Sequence, residues 1–170
     1  MEQYFELTDM IYDKRPGTYQ VLAFGIHKGR YFFIVNVGGE WPTAYAEKKT
    51  EDPCDYESLN DILFDEKFCE DALPHGGLTY GPDDLSRLKR DMEWFPKANE
   101  ILKRKYWGWD YSHLGDYCTW MGEENWEEEA PLVKHSVREI YEEDVIPFID
   151  YMSKKFVDVN SWKKGKGEKV

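Results

Sequence analysis

From Tyr19 to Ile26 and again from Arg30 to Val37 the chain runs in β-branched and aromatic residues, with His27-Lys28-Gly29 between the two runs. Two such runs joined by a short glycine-bearing link predict an antiparallel hairpin. Gly38-Gly39 closes the second run, and Trp41 to Ala46 supplies a third strand whose Pro42 belongs at an edge or a strand start, where a missing N–H is tolerated. An antiparallel meander is the predicted product. The opening stretch, Tyr4 to Tyr12, reads equally as a first strand or a short helix, and Arg15-Pro16-Gly17 ends it either way.

Beyond Pro53 the period changes. Asp55 to Phe64 starts acidic and carries Leu59, Ile62 and Leu63 at helical spacing, so a short helix is expected. His75-Gly76-Gly77-Leu78-Thr79-Tyr80 reads as a strand broken by Gly81-Pro82-Asp83-Asp84, after which Leu85 to Trp94 reads as a charged helix ahead of Pro96. A further turn or two follows from Lys97 to Lys105, bearing Lys97, Lys103, Arg104 and Lys105 as a solvated basic face. Tyr106 to Tyr111 is strand-like, Ser112 to Asp116 a turn, and Glu123 to Glu129 an acidic loop.

From Pro131, placed as a first-turn proline, apolar residues recur near helical spacing through Val137, Ile140, Phe148 and Met152 to Phe156. The pattern predicts one long amphipathic helix over 131–156, kinked or divided at Pro147 because the ring removes a backbone donor and crowds the preceding turn. The fold class is therefore α+β: an antiparallel sheet, made of the N-terminal meander and the motif strands, packed by a long C-terminal helix. Residues 1–160 are expected to form a single domain, with a mobile basic tail over 161–170.

Length supports that division, since 170 residues suffice for one substantial core and not for two comfortable ones. Aromatics make up 16% of the chain, so the core bulk lies in rings, whose amphipathic edges also suit a stacking pocket or an interface between copies of the chain. The formal net charge of -12 repels nucleic-acid backbones and anionic membranes, and duplex DNA is excluded as an expected partner. No run approaches the length of a spanning helix, and no apolar signal segment opens the chain. Cys54, Cys69 and Cys118 lack a CxxC spacing, so reduced thiols, packed as small hydrophobes, in a cytoplasmic protein are expected.

Two segments concentrate the chemistry. His75-Gly76-Gly77-Leu78-Thr79-Tyr80 and Trp107-Gly108-Trp109-Asp110-Tyr111-Ser112-His113-Leu114-Gly115-Asp116 hold two of the four histidines, two aspartates, and glycines that admit close backbone approach. The order of aromatic hairpin, His-Gly-Gly-Leu-Thr-Tyr, the Trp-Gly-Trp-Asp-Tyr-Ser-His-Leu-Gly-Asp segment and a closing helix resembles a group of small, mostly uncharacterised proteins of bacteriophages and their hosts, over about residues 19–156. The resemblance implies a phage setting, in which small proteins of the host cytoplasm act against host defence by holding or degrading nucleotide-derived immune signals. It carries no established reaction with it.

His75, Asp110, His113 and Asp116 are of the types that ligate a divalent metal or exchange protons near neutral pH. The Asp110-x-x-His113-x-x-Asp116 run follows strand-like sequence with Gly115 inside it and is not a metal signature, so no metal or other cofactor is expected. An alternative stays open in which both aspartates turn the backbone and both histidines join a polar network. The expected function is capture of a small nucleotide-derived ligand. It would stack on Tyr80, Trp107, Trp109 or Tyr111, bond to Asp110, His113 and Thr79, and set phosphate against Gly76 and Gly77, with His75 and Asp116 completing the wall. Two other classes stand beside it. One is a phosphodiesterase with His75 and His113 as acid and base; the other is an acidic inhibitor of a host enzyme.

Overall fold

The computed structural model describes residues 2–9, 11, 19–38, 41–65, 73–112, 116 and 133–156. Its frame is a six-stranded antiparallel sheet, β1 (Gln3–Glu6), β2 (Tyr19–His27), β3 (Arg30–Val37), β4 (Trp41–Glu47), β5 (Tyr80–Asp83) and β6 (Tyr106–Asp110), in the order β1-β2-β3-β4-β6-β5. The expected meander is present, and the opening segment takes the strand alternative. Lys28 and Gly29 both have positive φ, 46° and 77°, the geometry of a two-residue turn whose twist matches its strands. Pro42 sits at the start of a central strand: its carbonyl still accepts from the Tyr111 amide at 3.0 Å.

Strand alternation sends neighbouring side chains to opposite faces. Trp107 and Trp109 of β6, with Tyr111 just after it, enter one core, where Leu59 and Leu63 of α1 (Tyr56–Asp65) and the C-terminal helical segment cover them. Tyr106 enters the other, beneath Leu85, Leu88 and Met92 and the short helix α2 (Ala98–Leu102). Both faces are thus covered, and no described helix is long and apolar enough to cross a membrane.

Beside β6 lies a buried charge cluster. Arg30 binds Asp52 in a fork, Nη1 to Oδ2 at 2.6 Å and Nη2 to Oδ1 at 2.8 Å, with side-chain exposures of 3% and 0%. Asp52 also accepts from the Trp107 indole at 3.1 Å and the Lys49 amide at 2.9 Å, while Arg30 Nη1 reaches the Glu47 carbonyl at 2.8 Å. Nearly every polar atom of the pair is therefore matched, as burial of charge demands.

Several expectations are corrected. Residues 75–77 are turn and bend rather than strand, because Gly76 and Gly77 adopt φ of 72° and 86°, and 78–79 are irregular; the strand starts at Tyr80 and runs through the Gly81-Pro82-Asp83 stretch read as a breaker. Leu85 to Trp94 forms one 3₁₀ turn, Ser86–Leu88, followed by successive turns. There the Asp91 carboxylate takes the Val21 amide at 2.6 Å, tying the segment to the sheet. The C-terminal helix begins at Val137, not 131, because Ser136 caps it: Ser136 Oγ accepts from the Glu139 amide and the Glu139 carboxylate from the Ser136 amide.

That helical segment runs as α3 (Val137–Glu139), a π-helical turn (Ile140–Val145) and α4 (Ile146–Lys155). The wide turn ends two residues before Pro147, where the missing donor and the ring interrupt the α-ladder, as the proline predicts. Ile140 and Val145, five residues apart, are both fully buried, since the wider turn brings positions five apart nearer to one face than an α-turn does. Cys54 is exposed rather than packed, since it precedes α1 at the surface. The turn at 113–115, the acidic loop 123–129, the tail 161–170, Pro131, Cys69 and Cys118 lie outside the described residues.

Candidate metal centre

The two histidine motifs meet at one end of the sheet, and the sheet then divides them. Asp110 points away from the C-terminal helix, with Tyr80 on the same face, where the Tyr80 hydroxyl donates to Asp110 Oδ2 at 2.7 Å. Asp110 Oδ1 also accepts from the Ser112 amide at 3.3 Å. Burial pushes the Tyr80 hydroxyl far above the usual phenol range, and the Asp110 carboxylate reinforces that shift.

The opposite face holds a tighter group. His75 Nε2 donates to Asp116 Oδ1 at 2.9 Å and Oδ2 at 2.7 Å, and His135 Nε2 donates to Asp116 Oδ1 at 2.7 Å. One ligand atom from each of the three residues lies within 4.8 Å of the others. Asp116 is 4% exposed and His135 13%, whereas His75 keeps 32% of its side chain open to solvent. The bond to Asp116 raises the His75 pKa above its ordinary 6.5, against the opposing effect of burial.

Local structure explains the convergence. The Gly76-Gly77 turn, closed by the Gly77 amide on the Pro74 carbonyl at 2.7 Å, puts His75 at the mouth of the first core. Leu78 is pinned to α1 by both amide atoms of Asn60, at 2.8 and 2.9 Å. Asp116 is fixed by a parallel bridge to Val133, and His135 stands just before the Ser136 cap.

Behind the cluster, the Tyr111 ring stacks on His75 at 4.7 Å and 15° and meets His135 at 4.8 Å and 54°. Its hydroxyl accepts from the Trp109 indole at 3.0 Å and donates to Asp144. Burial raises the Asp144 pKa above its ordinary 3.8.

Of the residues singled out by sequence, His75, Asp116 and Tyr111 come together here. Tyr80 and Asp110 lie across the sheet, and the Thr79 amide is spent on the Gly108 carbonyl at 2.8 Å. Trp107 and Trp109 are corrected to core residues: both are 0% exposed, with no face open to a stacking ligand. The Gly77 amide is occupied within its own turn, so it is withdrawn from the expected phosphate cradle, while Gly76 is exposed. His113 lies outside the described residues; among those residues the histidine beside His75 is His135.

His135 was not anticipated. Under the expected 131–156 helix it is one more solvated position, whereas the capping box Ser136-x-x-Glu139 in the sequence marks it as standing just outside the helix.

A cation bonded at about 2.1 Å to imidazole nitrogen and carboxylate oxygen sets neighbouring ligand atoms about 3 Å apart when ligand angles are near 90°. The 2.7 to 2.9 Å separations between nitrogen and oxygen are hydrogen-bond lengths, so an ion would take the place of the bridging protons and spread the ligand atoms slightly. Two imidazoles and one carboxylate suit zinc, iron, manganese or cobalt and leave coordination positions for water or a ligand. Compared with protein-family models, curated proteins and solved structures, the chain matches none.

Proposed function

We propose that His75, Asp116 and His135 hold a divalent transition-metal ion, and that this centre receives the phosphate of a small nucleotide-derived ligand. The observation that carries the reading is the convergence of three good metal ligands from three remote points of the chain, one of them still open to solvent. Two neutral imidazoles and one carboxylate leave a divalent ion with net charge of about +1. That supplies a local anchor for an anion on a chain whose formal net charge is -12.

The ion thereby takes the place that buried Trp107 and Trp109 cannot fill. Capture of the ligand is the primary reading. Hydrolysis is the second, favoured by the coordination positions left for a metal-bound water, whose lowered pKa generates a nucleophile near neutral pH.

Chelator-stripped protein titrated with zinc, manganese and cobalt is expected to bind one equivalent, and His75→Ala, Asp116→Ala and His135→Ala to lose it. Failure of the parent protein to bind any of these ions stoichiometrically overturns the metal centre. The loaded protein is then incubated with a cyclic dinucleotide or ADP-ribose and heated to release its contents. Intact recovery supports capture, new products support hydrolysis, and no depletion overturns the ligand class.

A further inference from the structure

We infer that Tyr111 is a positioning residue for the histidine pair, held in register by Asp144. The inference rests on the metal reading above and extends it to residues that touch no ion.

An imidazole ligates only along the in-plane lone pair of one nitrogen, so a rotation of its ring removes the ligand without moving the backbone. Metal-binding histidines are generally fixed against this by hydrogen bonds from their second nitrogen. Here a single aromatic ring supplies a second restraint on both. Tyr111 packs flat on His75, at 4.7 Å and 15°, and obliquely on His135, at 4.8 Å and 54°, while the two imidazoles meet edge to face at 5.0 Å and 67°. With Tyr111 in place, a rotation of either imidazole must displace it or the other histidine.

Tyr111 is itself tied down at three points. Its amide donates to the Pro42 carbonyl at 3.0 Å, its hydroxyl accepts from the Trp109 indole, and the same hydroxyl donates to Asp144 in the wide turn before Pro147. Phenylalanine would fill the same space without the cost of burying a carboxylate beside a hydroxyl. A Tyr–Asp pair directly under two convergent histidines fits a demand for fixed orientation better than one for volume. Trp109, which donates to that hydroxyl, is at the same time locked edge-on against Phe148 of α4 at 5.3 Å, so the restraint is continuous with the core.

Four variants test this: Tyr111→Leu, Tyr111→Phe, Asp144→Leu and Asp144→Asn. Each is read by its visible cobalt spectrum, its cobalt affinity in chelator competition, the thermal midpoint of the metal-free form, and the ring-to-ring nuclear Overhauser effect between His75 and His135. Tyr111→Leu is expected to weaken cobalt about 10- to 100-fold, the usual cost of losing an outer support, and to shift the visible bands. Tyr111→Phe, which keeps the stack, is expected to weaken it less, and Asp144→Asn, which keeps an acceptor, to match the parent where Asp144→Leu does not.

A folded Tyr111→Leu with the parent's affinity and spectrum overturns the inference. If that variant does not fold, the contrast between Asp144→Leu and Asp144→Asn decides: no difference between them overturns it. Should the parent bind no cobalt, the metal reading fails separately. The Overhauser effect of the metal-free protein then decides the positioning role, which falls if the effect survives in Tyr111→Leu and stands if it is lost there and kept in Tyr111→Phe.

Discussion

Replacing Asp52 by alanine exposes the energetics of the charge cluster beside β6. The substitution strands a guanidinium that is 3% exposed and left with the Glu47 carbonyl, and it removes the acceptor of the Trp107 indole and the Lys49 amide. Breaking one side of a buried ion pair costs about 3–5 kcal/mol, since the remaining charge stays out of water. For a chain of this size each kcal/mol moves the midpoint by about 2–4 °C, so a fall of about 6–20 °C is expected in calorimetry of the metal-free protein. The double variant Arg30→Met/Asp52→Leu carries no stranded charge and loses the bonds to the Trp107 indole, the Lys49 amide and the Glu47 carbonyl, about 1 kcal/mol each. It should therefore recover part of the loss. A single-variant loss under about 1 kcal/mol, or a double variant no better than the single, refutes the account.

Gly25→Ala is expected to peel β1 from the sheet, because the new methyl would lie 2.0 Å from the Gln3 carbonyl oxygen; hydrogen exchange should rise over Gln3–Glu6 while β3 and β4 hold their protection. Ser136→Ala is expected to cost about 1 kcal/mol in denaturant unfolding by removing the cap of the C-terminal helix. The raised Asp144 pKa means that, above the ordinary value of 3.8, the folded chain holds a proton that the unfolded chain has released. That contribution to stability is present at low pH and is lost as pH rises through the folded pKa. The thermal midpoint of the parent should accordingly fall relative to Asp144→Asn over that interval, and parallel profiles would contradict the assignment.

The β2–β3–β4 meander was legible because its signals are local: β-branched and aromatic runs, and a two-residue turn with glycine second. β6 was legible as a strand, but not that its tryptophans lie inside, since alternation between Trp107 and Tyr106 does not say that both faces are covered. The strand reading of His75 to Thr79 failed because positive φ at Gly76 and Gly77 suits a turn and no ladder. Of the candidate site, His75 and Asp116 were singled out by residue type, and the fold brings the two together. Their partner His135 was hidden because the apolar period of the last helix extends past its cap, and only the Ser136–Glu139 reciprocity marks the true start.

Sheet order carries one more consequence. β4 finds its second neighbour in β6, about sixty residues later in the chain, and not in β5. Until β6 arrives, the β4 rim from Thr43 to Glu47 is an open row of backbone donors and acceptors flanked by Ala44, Tyr45 and Ala46, the kind of template on which other chains assemble. Fragments that stop between residues 48 and 105, whether from stalled synthesis or cleavage, should accumulate as aggregates, whereas a peptide spanning residues 106–111 supplied in trans should cap that rim and keep them dispersed.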